Sequence, residues 1–331
     1  MNLSPLVSII VPNYNHSAFL VQRLESVFNQ TFQDFEVILL DDKSTDDSLV
    51  ILRKYADHPK VSCCIFNEIN TGNTFKQWEK GISLAKGELI WIAESDDFCE
   101  LNFLEEVVKP FLDDKEVVLS YCQSNKVDEN NNVTGNWITH TQSLDSQNFF
   151  LKNFTMQGNS FIAKYLINRN VIPNAGAVVF KKTAIKDDSY LTINPEFRYC
   201  GDWMFYFKLI TNFKIAFTAK SLNNFRYHSS SVIANAIKTE NRIRIIDIDF
   251  NMRKVLMQFI KQNDISIVAY NEIKKHNNNV IRYLKHEKGL LLIKSSNKLK
   301  GYLLIITVFG VSWEKYNIRK KIRMKIRNLL K

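Results

Sequence analysis

Ala85-Lys86-Gly87-Glu88-Leu89-Ile90-Trp91-Ile92-Ala93-Glu94-Ser95-Asp96-Asp97 is a short apolar run that ends abruptly in acid. Leu89 to Ala93 carry no polar side chain apart from the Trp91 indole, the signature of a strand covered on both faces. Lys86-Gly87 before it closes a helical stretch over residues 74–85, with Gly at the position that ends helices. Helix, turn and doubly covered strand in that order imply a parallel sheet. Ligands of such a sheet bind at the carboxyl ends of its strands, where Glu94, Ser95, Asp96 and Asp97 fall.

The same rhythm extends in both directions. Residues 7–11, 35–40, 61–66 and 117–121 are further runs rich in Val, Ile, Leu and aromatics, and read as strands. Leu20, Leu24, Val27 and Phe28 recur at helical spacing between the first two. Another helix follows the capping residues of Asp41-Asp42-Lys43-Ser44-Thr45-Asp46, and a fourth covers residues 103–112. The expected fold class is α/β, a mostly parallel central sheet with helices on both faces. Beyond residue 122 the pattern loosens into an aromatic-rich stretch. Residues 171–180 then read as a strand, 202–209 as a helix, and the chain from 239 onward as helical. The expected domains are 1–238, comprising halves of about 1–122 and 123–238, and a helical region over 239–331.

Composition narrows the class. The 331 residues are 45% hydrophobic and 24% charged, which excludes disordered and fibrous proteins. The five cysteines, Cys63, Cys64, Cys99, Cys122 and Cys200, show no CxxC spacing, which disfavours a disulfide scaffold or a structural zinc site. No apolar run reaches the roughly 18–20 residues of a spanning helix, and the N-terminus lacks signal-peptide features, so a cytoplasmic location is expected. The net charge of +10 is unevenly placed. Residues 281–331 hold 14 Lys or Arg against Glu287 and Glu314, whereas the first 280 residues are nearly neutral. Residues 315–331 contain eight basic residues and no acid, with Ile318, Ile322, Ile326, Leu329 and Leu330 forming one apolar stripe. A basic amphipathic helix of this kind suits an anionic membrane surface, which predicts peripheral attachment at the inner face of the cell membrane. Packing of the stripe on the protein itself is the alternative. Nucleic acid is not the expected partner, since only Tyr316 accompanies these charges as an aromatic.

Five Asp-Asp pairs occur, and most read as helix caps or solvated loops. Asp96-Asp97 differs because it ends a buried strand, where clustered carboxylates call for a cation. Hard oxygen ligands suit Mg²⁺ or Mn²⁺, which commonly accompany a phosphorylated substrate.

These motifs in order, Val7-Ser8-Ile9-Ile10-Val11-Pro12-Asn13-Tyr14-Asn15, Asp41-Asp42-x-Ser-Thr-Asp, Asn70-x-Gly72 and the stretch from Ala85 to Asp97, resemble the large inverting glycosyltransferase family 2. The resemblance is strong over residues 5–100 and traceable to about 235. It implies a GT-A fold and transfer of a sugar from a nucleotide donor, UDP by family habit, with Mn²⁺ or Mg²⁺. Pro12, Asn13 and Tyr14 match the cradle of the donor base, with Tyr14 placed to stack on the ring. Asp42 matches the acid that meets the base edge, with Asp41 beside it. Asn70 falls in the donor loop, and Lys76 would either contact phosphate or be solvated. Asp96 matches the residue at the ribose or metal shell and Asp97 the metal ligand. His228 is either a further ligand or structural. The resemblance assigns the catalytic base to Asp202, with Glu196 as a fallback. Gly201 stands where Glu is common, Glu94 where Asp is frequent, and Lys43 where Gly is frequent. The implied product is a β-linked sugar on a glycan or lipid-linked acceptor in surface polysaccharide synthesis. A non-catalytic nucleotide-sugar-binding or scaffold protein on the same fold is the rival reading.

Overall fold

A computed structural model describes residues 4–144, 148–228, 242–295 and 297–311. The chain divides into two compact units, Met1–Ala236 and Ile237–Lys331.

The first unit is built on one ten-stranded sheet. Its strands are β1 (Val7–Asn13), β2 (Phe35–Asp41), β3 (Val61–Phe66), β4 (Leu89–Ile92), β5 (Phe98–Cys99), β6 (Val117–Val127), β7 (Val133–Asn136), β8 (Phe154–Gln157), β9 (Val178–Lys181) and β10 (Lys214–Arg226). The main path runs β3-β2-β1-β4-β9-β6-β10-β5, while β7 pairs with β6 and β8 with β10. β1 is parallel to β2 on one side and to β4 on the other. Every residue of these three strands is buried, as their largely apolar composition requires, and the buried Ser8 gives its hydroxyl to Glu36 at 2.6 Å. The register that sets Asn13 opposite Asp41 brings the polar ends of β1 and β2 to one edge.

Helices α1 (Ser17–Phe28), α2 (Ser48–Tyr55), α3 (Thr74–Leu84) and α4 (Phe103–Asp113) cross between the strands. Leu20, Leu24 and Val27 form the buried face of α1 at the expected spacing. Asn73 caps α3 by accepting from the Phe75 amide. Gly81 lets α3 settle on the sheet, since a Cβ there would lie 2.4 Å from Ile10.

The second half departs from the expected strand pattern. Only residues 178–180 of the stretch 171–180 form a strand, which runs on to Lys181 as β9, antiparallel between β4 and β6. The preceding residues cannot extend it, because Pro173 has no amide to give a ladder. Asn174 instead turns its side chain to Asp97. Two short helices, α5 (Ile138–Thr141) and α6 (Gly158–Phe161), lie in the aromatic-rich stretch, where Phe149, Phe154 and Tyr165 pack as stacked rings. Helix α7 (Gly201–Ile210) is nearly all buried.

The second unit holds α8 (Arg242–Gln262), α9 (Ile267–Lys294) and α10 (Lys298–Thr307), so the chain is helical there as its periodicity predicts. No helix among the described residues is long and apolar enough to cross a membrane. The basic stripe of residues 315–331 lies outside the described residues.

Candidate active site

At the carboxyl ends of β1, β2 and β4 lies an open cavity of about 630 Å³. Tyr14, Asp42, Asn70, Asp96 and Asp202 all line it, so the structure gathers residues that are up to 188 positions apart in sequence.

One end of the cavity is organised around Asp42. Its Oδ1 accepts from Asn67 Nδ2 at 2.7 Å and Gln77 Nε2 at 3.0 Å, and its Oδ2 from Thr71 Oγ1 at 2.8 Å. The Thr71 amide also gives to both oxygens, at 3.0 and 3.1 Å, so protein donors fill the about four acceptor positions of the carboxylate and hold Asp42 rigidly. Asn70 closes the same loop, giving its amide to the Asp42 carbonyl at 2.7 Å. Tyr14 stands at the rim, 46% exposed. Asp41 does not line the cavity. It is fully buried and accepts from Asn13 Nδ2 at 2.8 Å and from Ser44 Oγ at 2.6 Å, which fixes the β1 and β2 ends beneath the site. Lys43 has φ 63°, the left-handed conformation that explains why glycine is favoured at this turn. Lys76 is exposed on α3 and does not line the cavity; Gln77 and Trp78, on the buried face of that helix, do.

The acidic end of β4 splits into distinct environments. Glu94 accepts from the Trp78 indole at 3.0 Å. Burial, aided by the Asp96 charge, pushes its carboxyl up to about 8. Asp96 meets His228 Nε2 at 3.0 Å, and this bond, together with the nearby imidazole of His16, outweighs burial and draws Asp96 below the usual carboxylate range. Asp97 is turned inward. Its Oδ1 accepts from the Arg226 amide at 2.8 Å, and its Oδ2 from Asn174. Burial and the Asp96 charge raise Asp97, with the Arg23 guanidinium opposing them.

Among the described residues, His16, Asp96 and His228 are the group whose ligating atoms all lie within 4.8 Å of one another. Two imidazoles and a carboxylate are a fitting donor set for a divalent transition ion. The structure therefore places Asp96 with His228, whereas Asp97, expected as the ligand, already has protein donors on both oxygens.

Arg23 and Arg226 escaped the sequence reading, as did His16. Arg226 is 1% exposed, gives Nε to the Asp96 carbonyl at 2.7 Å and lies between the rings of Phe19 and Phe98.

Across the cavity, Asp202 sits in the first turn of α7. Its Oδ1 accepts from the Trp203 amide at 2.6 Å and its Oδ2 from Asn170 at 3.3 Å. Burial nevertheless raises its carboxyl to about 6. The fallback Glu196 is exposed and does not line the cavity. Gly201, in place of the common Glu, has a local cause: a Cβ there would lie 2.4 Å from the Phe75 ring.

Residues 8–170 match the family described as Glycosyl transferase family 2. Chondroitin synthase of Escherichia coli is 36% identical over 133 residues, 40% of this chain but only 19% of that protein. Among solved structures, TarS of S. aureus in complex with UDP-GlcNAc aligns with a TM-score of 0.56 at 18% identity, over 89% of each chain. The mannosyltransferase PcManGT of Pyrobaculum calidifontis, in complex with GDP-Man and Mn²⁺, aligns with a TM-score of 0.54 at 14% identity, over 98% of this chain and 85% of that one. By the match over residues 8–170, just under half of the chain, the protein carries a glycosyl transferase family 2 domain, on a fold it shares with TarS and PcManGT.

Proposed function

We propose that the protein is an inverting, metal-dependent glycosyltransferase. It would move a hexosyl or N-acetylhexosaminyl group from a nucleotide-sugar donor, a UDP-sugar foremost, to a hydroxyl of a glycan or lipid-linked acceptor in surface polysaccharide synthesis. The observation that carries this reading is the shared cavity, which sets Asp202 opposite the Asp42 and Asp96 clusters. The UDP-GlcNAc complex of TarS and the polymer-forming activity named for the E. coli relative support the donor and acceptor classes.

Tyr14 offers its ring to the donor base, and Asp42, lining the same cavity, meets the base edge by giving up one of its loop donors. Asp41 and Asn13 act from beneath by fixing the strand ends. A divalent cation, Mn²⁺ or Mg²⁺, would be held by Asp96 and His228 and would supply charge neutralisation at the departing diphosphate. Asp97 acts one layer behind, where its bonds to Arg226 and Asn174 set the position of Asp96. Asp202 takes the proton from the acceptor hydroxyl. The new oxygen–carbon bond forms on one face of the anomeric carbon as its bond to the diphosphate oxygen breaks on the other, and the nucleoside diphosphate leaves with the electron pair. An α-linked donor then gives a β-linked product.

The test is a panel of UDP-, GDP- and dTDP-sugars with and without Mn²⁺, read by thermal shift and by NMR of the product. A ligand at 100 times its dissociation constant raises stability by about 2.7 kcal/mol. Stabilisation by one nucleotide class with a β-linked product supports the reading; an α-linked product from an α-linked donor sinks it.

Attachment to an anionic membrane surface is part of the same proposal. Besides the basic composition of residues 315–331, α10 supports it: Leu299, Tyr302, Leu303 and Ile306 fall at i, i+3, i+4 and i+7, and all are more than half exposed, with Lys298 and Lys300 beside them. A helix of this kind lies in the headgroup plane. Sedimentation with phosphatidylglycerol vesicles, reduced on Leu303→Glu, is the expected outcome. Equal recovery with and without vesicles would remove this part alone.

A further inference from the structure

His16 follows β1 by three residues and immediately precedes α1, a position that neither the acidic motif nor the basic tail draws attention to. Three observations single it out. Its ligating atom lies within 4.8 Å of those of Asp96 and His228, residues 80 and 212 positions further along the chain. Its ring meets that of His228 edge-on, with centroids 5.6 Å apart at 88°. Its Nδ1 lies 2.8 Å from the Ser95 hydroxyl, so a neighbour of Asp96 fixes the ring's orientation. Imidazoles that bind metals are commonly oriented by a second hydrogen bond of this kind.

We propose that His16 is a ligand of the cation that Asp96 and His228 hold, and that this set of two imidazoles and one carboxylate makes the site select Mn²⁺ over Mg²⁺. The chemistry follows from the donors. Mg²⁺ prefers an all-oxygen shell and gives up its waters reluctantly. Imidazole nitrogen favours the transition ions, whose affinities for mixed nitrogen and oxygen sites exceed that of Mg²⁺. Three protein ligands also leave coordination positions for the oxygens of a diphosphate. His16 is part-exposed and lines the cavity, so the trio is open on the side where a donor enters. This inference rests on the metal-dependent reading of the site, and its test is chosen to fail separately from it.

The experiment uses the full chain and Mn²⁺ itself, first alone and then with UDP. Pulsed EPR of bound Mn²⁺ counts coordinated imidazole nitrogens directly. Two are expected in the wild-type protein and one in His16→Ala, whose Mn²⁺ affinity in titrations should fall by at least the roughly tenfold that losing even an outer hydrogen-bond partner costs. Mg²⁺ should displace Mn²⁺ only at a large excess from the wild-type protein and more readily from His16→Ala. A single imidazole in the wild-type spectrum overturns the proposal without recourse to any variant. So does loss of Mn²⁺ binding in Asp97→Asn but not in Asp96→Asn, or absence of Mn²⁺ binding by the wild-type chain even with UDP. Sugar transfer from a UDP-sugar in those cases would leave the glycosyltransferase reading standing, stripped of its metal requirement where no Mn²⁺ binds, while this one falls.

Discussion

Arg23 and Asp97 face each other at 3.9 Å, with side chains 0% and 1% exposed. This is the innermost charge contact of the site. It joins α1 to the end of β4, under the carboxylates that line the cavity. Arg23 also gives Nε to the Glu94 carbonyl at 2.8 Å, so one guanidinium braces both ends of the acidic tetrapeptide.

Removing that cation while keeping the charge of Asp97 should be costly. Loss of one partner of a buried pair typically destabilises by about 3–5 kcal/mol. Arg23→Met is therefore expected to lower the urea midpoint sharply, and Asp97→Asn in the same background to recover part of the loss. The sign with pH is fixed by Asp97. Its carboxyl is already raised by burial and the Asp96 charge, and loss of Arg23 raises it further. Protonation then relieves the penalty at low pH, so the destabilisation grows between pH 6 and pH 8. A loss that shrank with rising pH would contradict this account.

Asp202 offers a separable prediction. General base catalysis contributes about 10²–10⁴-fold, so Asp202→Asn should lower kcat by that range with little change in donor KM. Only the ionised form accepts a proton, and burial raises the group to about 6. The wild-type pH–rate profile should therefore fall on the acid side near pH 6, and the residual activity of the variant should lack that limb. Because burial disfavours the charge, Tm at pH 8 should not drop in the variant. A large fall in Tm there would mark Asp202 as structural.

At Gly201 the expected effect is steric. Adding one methyl puts a carbon 2.4 Å from the Phe75 ring, and overpacking of this kind costs about 1–3 kcal/mol. Gly201→Ala should be destabilised and Phe75→Leu should restore much of the loss, as read in a double-mutant cycle. Additive effects would show that the ring yields without cost.

Tyr14 touches the site from its rim, so Tyr14→Ala should weaken UDP binding and leave Tm of the free protein unchanged. Base–aromatic stacking is worth about 1–3 kcal/mol, or roughly 5- to 150-fold in Kd. Calorimetric titration with UDP checks it.

The donor-side strands were readable because their signal is local. β1, β2 and β4 are apolar runs whose polar ends follow directly, so the motif and the fold report each other. The strand expected over 171–180 matched β9 only in its last three residues, because the strand and the loop before it share one apolar composition, and the polarity of its pairing is set by distant partners. Which aspartate of Asp96-Asp97 turns outward was beyond periodicity altogether, since it depends on Arg23, Asn174 and Arg226, all remote in sequence. His16 had no apolar or acidic context to mark it. Gly201 was legible as an anomaly, and the Phe75 ring supplies its cause.

The contact between the Arg226 amide and Asp97 spans 129 residues. During synthesis, β1 to β4 can pair as soon as about 92 residues have emerged, but the end of β10 arrives much later. Over that interval Asp96 and Asp97 end a formed strand without the backbone amide and imidazole that later receive them. At a synthesis rate of about 5–20 residues per second the wait lasts roughly 7 to 27 seconds. A nascent chain stopped before residue 226 would hold the nucleotide-side strands yet lack the sealed acidic cluster, so competence for catalysis is among the last properties this domain acquires.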